Sequence, residues 1–273
     1  MSASRLNYLL CTTILISGCS STTSPVKDSA PGSIPVDIMS IPDAVPRFEP
    51  YSKHANPKSY TVLGKRYHVM RDGKDYKQRG ISSWYGTKFH GKKTANGETY
   101  DMFAMTAAHK TLPLPSFVRV THLKNKRSVV VRVNDRGPFH NNRIIDLSYA
   151  AAIKLGINKT GTGFVEVETL EPGENIGNYQ QNTFPKEFIF LQVGAFKQEA
   201  NAIALKNRIS ALQPVNYRVK RSKQQGQIVY KLQLGPIRSV SEADKVNLQL
   251  SQLGITNTHF ITEKSQGQQG MLQ

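Results

Sequence analysis

Val129-Val130-Val131-Arg132-Val133-Asn134-Asp135-Arg136-Gly137-Pro138-Phe139 is the stretch on which the fold of this chain turns. A run of valines is stiff at χ1 and suits a pleated surface, so residues 128–133 read as a strand. Arg-Gly-Pro cannot extend it, because proline has no N–H to give to a ladder and glycine invites a turn. Asp135 therefore sits where a sheet stops and a turn begins, its backbone fixed and its carboxylate at a rim. A carboxylate placed there suits a general acid or base. The other reading is an aspartate that only caps its own turn through nearby N–H groups.

Working outward, residues 117–123 form a second strand, joined to the first by the polar turn around Lys124-Asn125-Lys126. Residues 81–85 and 163–169 read as further strands. One helix, 148–155, starts after Asp146 and stops at Gly156. A block of mostly strand with one helix, 80–171, predicts a small β-barrel. Ahead of it, residues 60–79 read as a lead-in hairpin turning around Leu63-Gly64-Lys65. Behind it, a polar Gly/Asn/Gln-rich linker, 172–187, has too little apolar content to weld two domains together, so each is expected to fold and act independently. Then come strand 188–193, helix 199–212, strands 215–221 and 227–234, helix 241–250 and strand 256–262. That βαββαβ order is the ferredoxin-like arrangement, assigned to 188–263. Leu191-Gln192-Val193-Gly194 recurs as Leu232-Gln233-Leu234-Gly235, so the two halves echo each other. Residues 264–273 are expected to be a disordered tail. The fold class is mainly β plus α+β.

The N-terminal segment is a targeting signal rather than part of the fold. Arg5 precedes an apolar stretch, 6–16, that is shorter than the roughly 20 residues needed to span a bilayer. It ends in Leu15-Ile16-Ser17-Gly18-Cys19, which resembles the bacterial lipobox. That resemblance implies removal of residues 1–18 and acylation of Cys19, with a membrane anchor through the acyl chains. An ordinary signal peptide with an incidental cysteine is the alternative. Cys11 and Cys19 are the only cysteines, so the mature chain would hold no internal disulfide. Ser20, where Asp would favour inner-membrane retention, points to the outer membrane. Residues 19–59 carry seven prolines and no apolar periodicity, and read as an extended, semi-flexible tether.

The formal net charge is +17, from 36 basic and 19 acidic residues. Such a charge would usually suggest nucleic acid. An exported protein rarely meets it, so no nucleic-acid partner is expected. Peptidoglycan, with carboxylates on its stem peptides, is a polyanionic partner that a basic surface would concentrate on. A merely solvated surface is the plainer account of the charge. No His/Cys cluster at metal spacing and no glycine-rich phosphate loop occurs, so neither metal nor cofactor is expected.

Three more stretches carry chemistry: Trp84-Tyr85-Gly86, Lys93-Thr94-Ala95-Asn96-Gly97-Glu98 and Thr106-Ala107-Ala108-His109. The last two, with the block 133–139, closely resemble the rare lipoprotein A family. Its catalytic part is a double-psi β-barrel of the kind seen in expansins and some lytic transglycosylases. Residues 188–263 resemble the sporulation-related repeat, or SPOR domain, which binds septal peptidoglycan. The resemblance implies a lytic transglycosylase at the division septum. Such an enzyme cleaves between N-acetylmuramic acid and N-acetylglucosamine without water, leaving 1,6-anhydro ends, and prefers glycan strands stripped of stem peptides.

By motif match Asp135 is the acid/base, with Glu98 and His109 as its immediate partners and Asp101 as a spare. A carboxyl with a raised pKa suffices for such work. Structural alternatives remain for each: a satisfied core histidine at His109 and a surface turn charge at Glu98. Trp84 and Tyr85 are expected to stack on sugar faces, unless they are core. Gln192 and Gln233 are expected on the open face of the second domain's sheet, their amides reaching sugar hydroxyls and acetamido groups, unless they pair with each other. Arg218 and Tyr230 alternate onto a face of the same sheet. The rival to an enzyme is a non-catalytic, expansin-like protein that clings to the septal wall. The barrel allows both, because function resides in the site.

Overall fold

The computed structural model describes residues 28–34, 36–140, 142–174, 187–210, 216–224 and 226–264. The signal segment, Cys19, Ser20, most of the linker and the tail lie outside the described residues.

Six strands close into a barrel: β3 (Lys77–Tyr85), β4 (Thr106–His109), β5 (Ser116–His122), β6 (Ser128–Asp135), β7 (Arg143–Ser148) and β8 (Thr162–Thr169). Their order around the barrel is β3-β7-β4-β6-β5-β8. β3 with β7 and β4 with β6 run parallel, and the other neighbours are antiparallel. This is the double-psi β-barrel that the sequence resembles. Valines at every second position turn inward, and Val118, Val120, Val131, Val133, Val165 and Val167 are fully buried. Each such side chain contributes roughly 1.5–3 kcal/mol by leaving water. α1 (Tyr149–Leu155) is capped at its start by the Ser148 hydroxyl, which accepts from the Ala151 N–H at 3.2 Å. Gly156, at φ 84°, ends it in the left-handed region that favours glycine. β4 and β7 are strands that the sequence did not announce.

A hairpin, β1 (Ser59–Val62) and β2 (Lys65–His68), precedes the barrel. Ahead of that, the described residues up to 57 depart from an extended, free tether, because they lie along the barrel. Ile38 and Ala55 are buried in the barrel's apolar cluster. The first half of β6 lacks β4 as a neighbour, and the strap takes its place. The Val130 N–H donates to Asp43 Oδ2 at 2.9 Å, and the Val130 carbonyl accepts from the Ala44 N–H at 3.0 Å. Lys154 Nζ donates to Asp43 Oδ1 at 2.6 Å, and Arg132 grips Glu49 with two nitrogens. Prolines forbid a helix or a central strand here, yet single apolar and acidic side chains still find basic and apolar partners.

The second domain is β9 (Glu187–Phe196), α2 (Glu199–Ile209), β10 (Tyr217–Gln224), β11 (Gln227–Leu234), α3 (Val240–Gln252) and β12 (His259–Lys264). Its antiparallel sheet has the order β10-β11-β9-β12, the ferredoxin-like one. Leu191, Val193, Leu232 and Leu234 pack against Ala243, Val246 and Leu250 of α3 and Ile209 of α2. The expected independence of the two domains meets a counter-observation. Ile81 and Phe164 of the barrel join this cluster, and Phe164 meets Phe260 edge-on at 5.4 Å between centroids. The contact comes from β3, β8 and β12, not from the linker whose composition suggested freedom.

Candidate active site at the end of strand β6

Asp135 is the last residue of β6. Its Oδ1 accepts the Ala95 N–H at 2.8 Å and the Arg136 N–H at 2.7 Å, and Oδ2 is left for other work. Burial pushes its pKa up, while the two N–H groups and the Arg136 guanidinium pull the other way without cancelling the rise. The Arg136 side chain turns inward, donating to the Leu112 carbonyl at 2.5 Å, the Ala55 carbonyl at 2.9 Å and Asn56 Oδ1 at 2.8 Å. That grip fixes the turn from which the Arg136 N–H points at Asp135.

Glu98 lies in the same corner, on the turn 94–98 that folds against the end of β6. Its Oε2 accepts from Arg132 Nη1 and Asn134 Nδ2, each at 2.8 Å, and Oε1 accepts from Asn96 Nδ2 at 2.8 Å. Partial burial would raise its pKa, but Asn134, Arg132 and Asn96 outweigh that and lower it. Glu98 is therefore a held anion, unsuited to giving a proton. It braces Asn134 and Arg132, the residues that lead into Asp135.

His109 has the surroundings of a satisfied core histidine. It is only 3 % exposed, and its Nδ1 accepts the Thr111 and Leu112 N–H groups at 3.2 and 3.0 Å. With Nδ1 an acceptor, Nε2 carries the proton and donates to Tyr76 Oη at 2.9 Å, which donates in turn to Gln78 Oε1. Burial, then Arg136 and Lys110, drive its pKa down to about 3, so the ring stays neutral. The link to the site runs through Arg136: the His109 carbonyl accepts from Arg136 Nη1 at 3.3 Å, and the ring shapes the turn whose Leu112 carbonyl holds the same guanidinium.

The aromatics also differ from expectation. Trp84 packs against Tyr149 at 5.2 Å, and Tyr85 is 7 % exposed and stacked on Tyr100 at 4.1 Å, so neither offers an open platform. A wide apolar ring gains more from the core than from the rim. The exposed ring nearby is Phe89, edge-on to Tyr85, a residue that nothing in the sequence distinguished. Asp101 caps its own turn, accepting the Phe103 N–H at 2.9 Å. Among the described residues no three His, Cys, Asp or Glu side chains converge to hold a metal ion.

In the second domain Arg218, Gln233, Gln192 and His259 pair in one row across all four strands. The amides are less open than expected, with Gln192 6 % and Gln233 1 % exposed. The reason is Arg218, which folds across the face. Its Nε donates to Gln233 Oε1 at 2.8 Å, its guanidinium lies 3.4 Å above the Phe190 ring, and it pairs with Glu263.

Residues 77–168 match a family model described as lytic transglycolase, and residues 185–261 match the SPOR domain model. A protein of Pseudomonas aeruginosa named endolytic peptidoglycan transglycosylase RlpA is 39 % identical, over 88 % of this chain and 86 % of its own length. The protein of that name from Vibrio cholerae is 49 % identical over 61 % of this chain and 64 % of its own. Among solved structures, the SPOR domain of RlpA from P. aeruginosa covers 27 % of this chain and 96 % of its own, at 25 % identity and a TM-score of 0.26. With both domains matched in order, and the Pseudomonas relative aligned over most of its length, this chain belongs to the rare lipoprotein A (RlpA) family.

Proposed function

We propose that this chain is an endolytic peptidoglycan transglycosylase, cutting glycan strands between N-acetylmuramic acid and N-acetylglucosamine to leave 1,6-anhydro ends. The observation that carries the reading is the Asp135 carboxyl. It is part-buried and held by two backbone N–H groups through one oxygen, and burial raises its pKa. The Asp135 proton moves to the departing 4-oxygen as the glycosidic bond breaks, and as the muramyl 6-oxygen bonds to its own anomeric carbon its proton passes back to Asp135. Glu98 supplies a fixed negative charge nearby, which favours the positive charge developing at the anomeric carbon. Incubating denuded glycan strands with the protein and weighing the products tests this. Anhydro-terminated fragments are expected. Reducing ends would make it a hydrolase, and no products would make it a wall binder of the expansin kind.

The second domain is read as the part that brings the enzyme to strands without stem peptides at the division septum. The row of Arg218, Gln233, Gln192 and His259 supports a sugar-binding face, provided Arg218 swings aside or itself donates to the glycan. Residues 187–264 keep their own apolar core, so the fragment is expected to fold alone. In a pull-down it should retain amidase-treated sacculi well above untreated ones. Equal retention removes the preference for stripped strands.

Cys19 is read as the acylated first residue of the mature protein, facing the periplasm from the outer membrane. Cys19→Ser should leave the membrane fraction almost completely. A mutant that stays membrane-bound at the wild-type mature mass defeats the anchor.

A further inference from the structure

β4 runs between β6 and β7, and one residue on it faces a carboxyl on each side. Ala108 pairs with Asp135 of β6 and with Asp146 of β7. An extra residue, Asn134, interrupts the β4–β6 ladder between the pairs Ala107–Val133 and Ala108–Asp135. A bulge of this kind re-aims the side chain that follows it. Asp135 is thereby brought to the same face as Ala108 and Asp146, opposite to the face of core-facing Leu147. Strands lie about 4.8 Å apart, so two carboxyls on either side of β4 have Cα atoms about 10 Å apart. Side chains that lean toward one another from such positions can bring their carboxyls within the roughly 5–9.5 Å used by enzymes that divide glycoside cleavage between two of them.

Polar side chains are also buried around this pair of carboxyls. Asp146 Oδ1 is buried without a hydrogen bond, while Tyr85 Oη and Thr106 Oγ1, buried beside it, have only each other. Thr106 shares its strand face with Ala108, and Tyr85 on β3 shares its face with Ser83, which pairs with Asp146. The Tyr85 phenol is near enough to both Asp135 and Asp146 for each charge to raise its pKa. Buried polar atoms are nearly always satisfied, and an unsatisfied carboxyl oxygen beside a second carboxyl points to a ligand whose own hydroxyl completes it. Asp146 itself is held only loosely, with Arg143 Nη2 at 3.6 Å from Oδ2.

We propose that Asp146 is a second catalytic carboxyl of this site, the acid that protonates the glycosidic oxygen, while Asp135 is the base. The inference rests on the transglycosylase reading and divides its proton transfers between two groups. As the anomeric C–O bond breaks, the Asp146 proton moves to the departing 4-oxygen of N-acetylglucosamine, and Asp146 becomes a carboxylate. As the muramyl 6-oxygen bonds to the anomeric carbon, its proton moves to Asp135. Solvent then returns one proton to Asp146 and removes one from Asp135, and nothing else is consumed. Burial raises the Asp146 pKa to about 6, against Arg143 and Lys110 and with Asp28, so the group holds a proton for part of the time near neutrality.

The test uses the full chain in detergent with two substrates. One is denuded glycan strand. The other is a GlcNAc-MurNAc disaccharide carrying a dinitrophenyl group on the anomeric oxygen, a leaving group that departs without a proton. Asp146→Asn should lose at least about 100-fold on strands, the scale of general acid catalysis, and recover to within about fivefold of wild type on the dinitrophenyl substrate. Asp135→Asn should be lost on both. Full activity of Asp146→Asn on strands, or an equal loss on both substrates, overturns the proposal. Should Asp146→Asn fail to fold, Asp146→Ser is assayed with added formate, which fits the vacated volume. Recovery supports the acid role, and none overturns it. Wild-type protein that yields no anhydro ends from strands defeats the transglycosylase reading itself, and shows this before any variant is compared.

Discussion

Asp135→Asn is expected to abolish strand cleavage, by at least the roughly 10²–10⁴-fold typical of a lost general acid or base, while leaving the protein folded. The amide oxygen keeps an acceptor for the Ala95 and Arg136 N–H groups, now 2.8 and 2.7 Å from Oδ1, so the turn 94–98 and the Arg136 turn stay in register. What is lost is a group able to take a proton. Since the carboxylate is disfavoured by burial, the neutral amide should cost little stability and could add some. Mass spectrometry of products and a melting curve read the two halves separately. Full activity in a folded variant would move the chemistry away from the end of β6.

The second large effect is acid instability set by His109. Its pKa is about 6.5 in an unfolded chain and about 3 in the fold. Between those values the unfolded state binds a proton that the native state refuses, so stability falls as the pH falls below 6.5. The slope approaches 1.4 kcal/mol per pH unit, roughly, where the unfolded ring is fully protonated. Raised carboxyls such as Asp146 act in the opposite sense, so the comparison must be with a variant and not with theory alone. His109→Gln can accept the Thr111 and Leu112 N–H groups and donate to Tyr76, yet has nothing to titrate. Urea midpoints measured from pH 7 to pH 4 should fall more shallowly for the variant than for wild type. Parallel slopes would mean that His109 is not the titrating group.

The barrel was legible where valine was dense. Residues 117–123 and 128–133 read as strands because nothing else suits their stiff side chains, and β5 and β6 are there. β4 was hidden by its length, four residues with two alanines, and β7 by Asp146 and Ser148, polar residues placed for a site or a cap rather than for a ladder. The corner that joins Glu98 to Asp135 was legible only through family resemblance, because no spacing rule connects a turn at 94–98 with a strand end at 135. His109 kept two readings for a related reason: a histidine's surroundings depend on where the next turn folds, and Thr111 and Leu112 offer no sequence signal of doing so. Asp146 gave only the start of a helix in the sequence, and its second character appears when β4 separates it from Asp135.

The strap along the barrel also fixes a length. The Asp28 carboxylate accepts the Gly86 and Lys88 N–H groups at 2.9 and 3.0 Å, and Gly86 has no side chain where the Ser29 carbonyl passes. With Cys19 acylated as proposed, only eight residues, 20–27, lie between it and that point of attachment. At 3.3–3.6 Å per residue they reach about 30 Å, whereas forty free residues up to 59 would have reached about 140 Å. With that anchor the barrel would work on a short leash and sweep only the face of the wall nearest its membrane. Strands deeper in the wall come within range only if the strap peels away or the membrane is drawn inward to meet them.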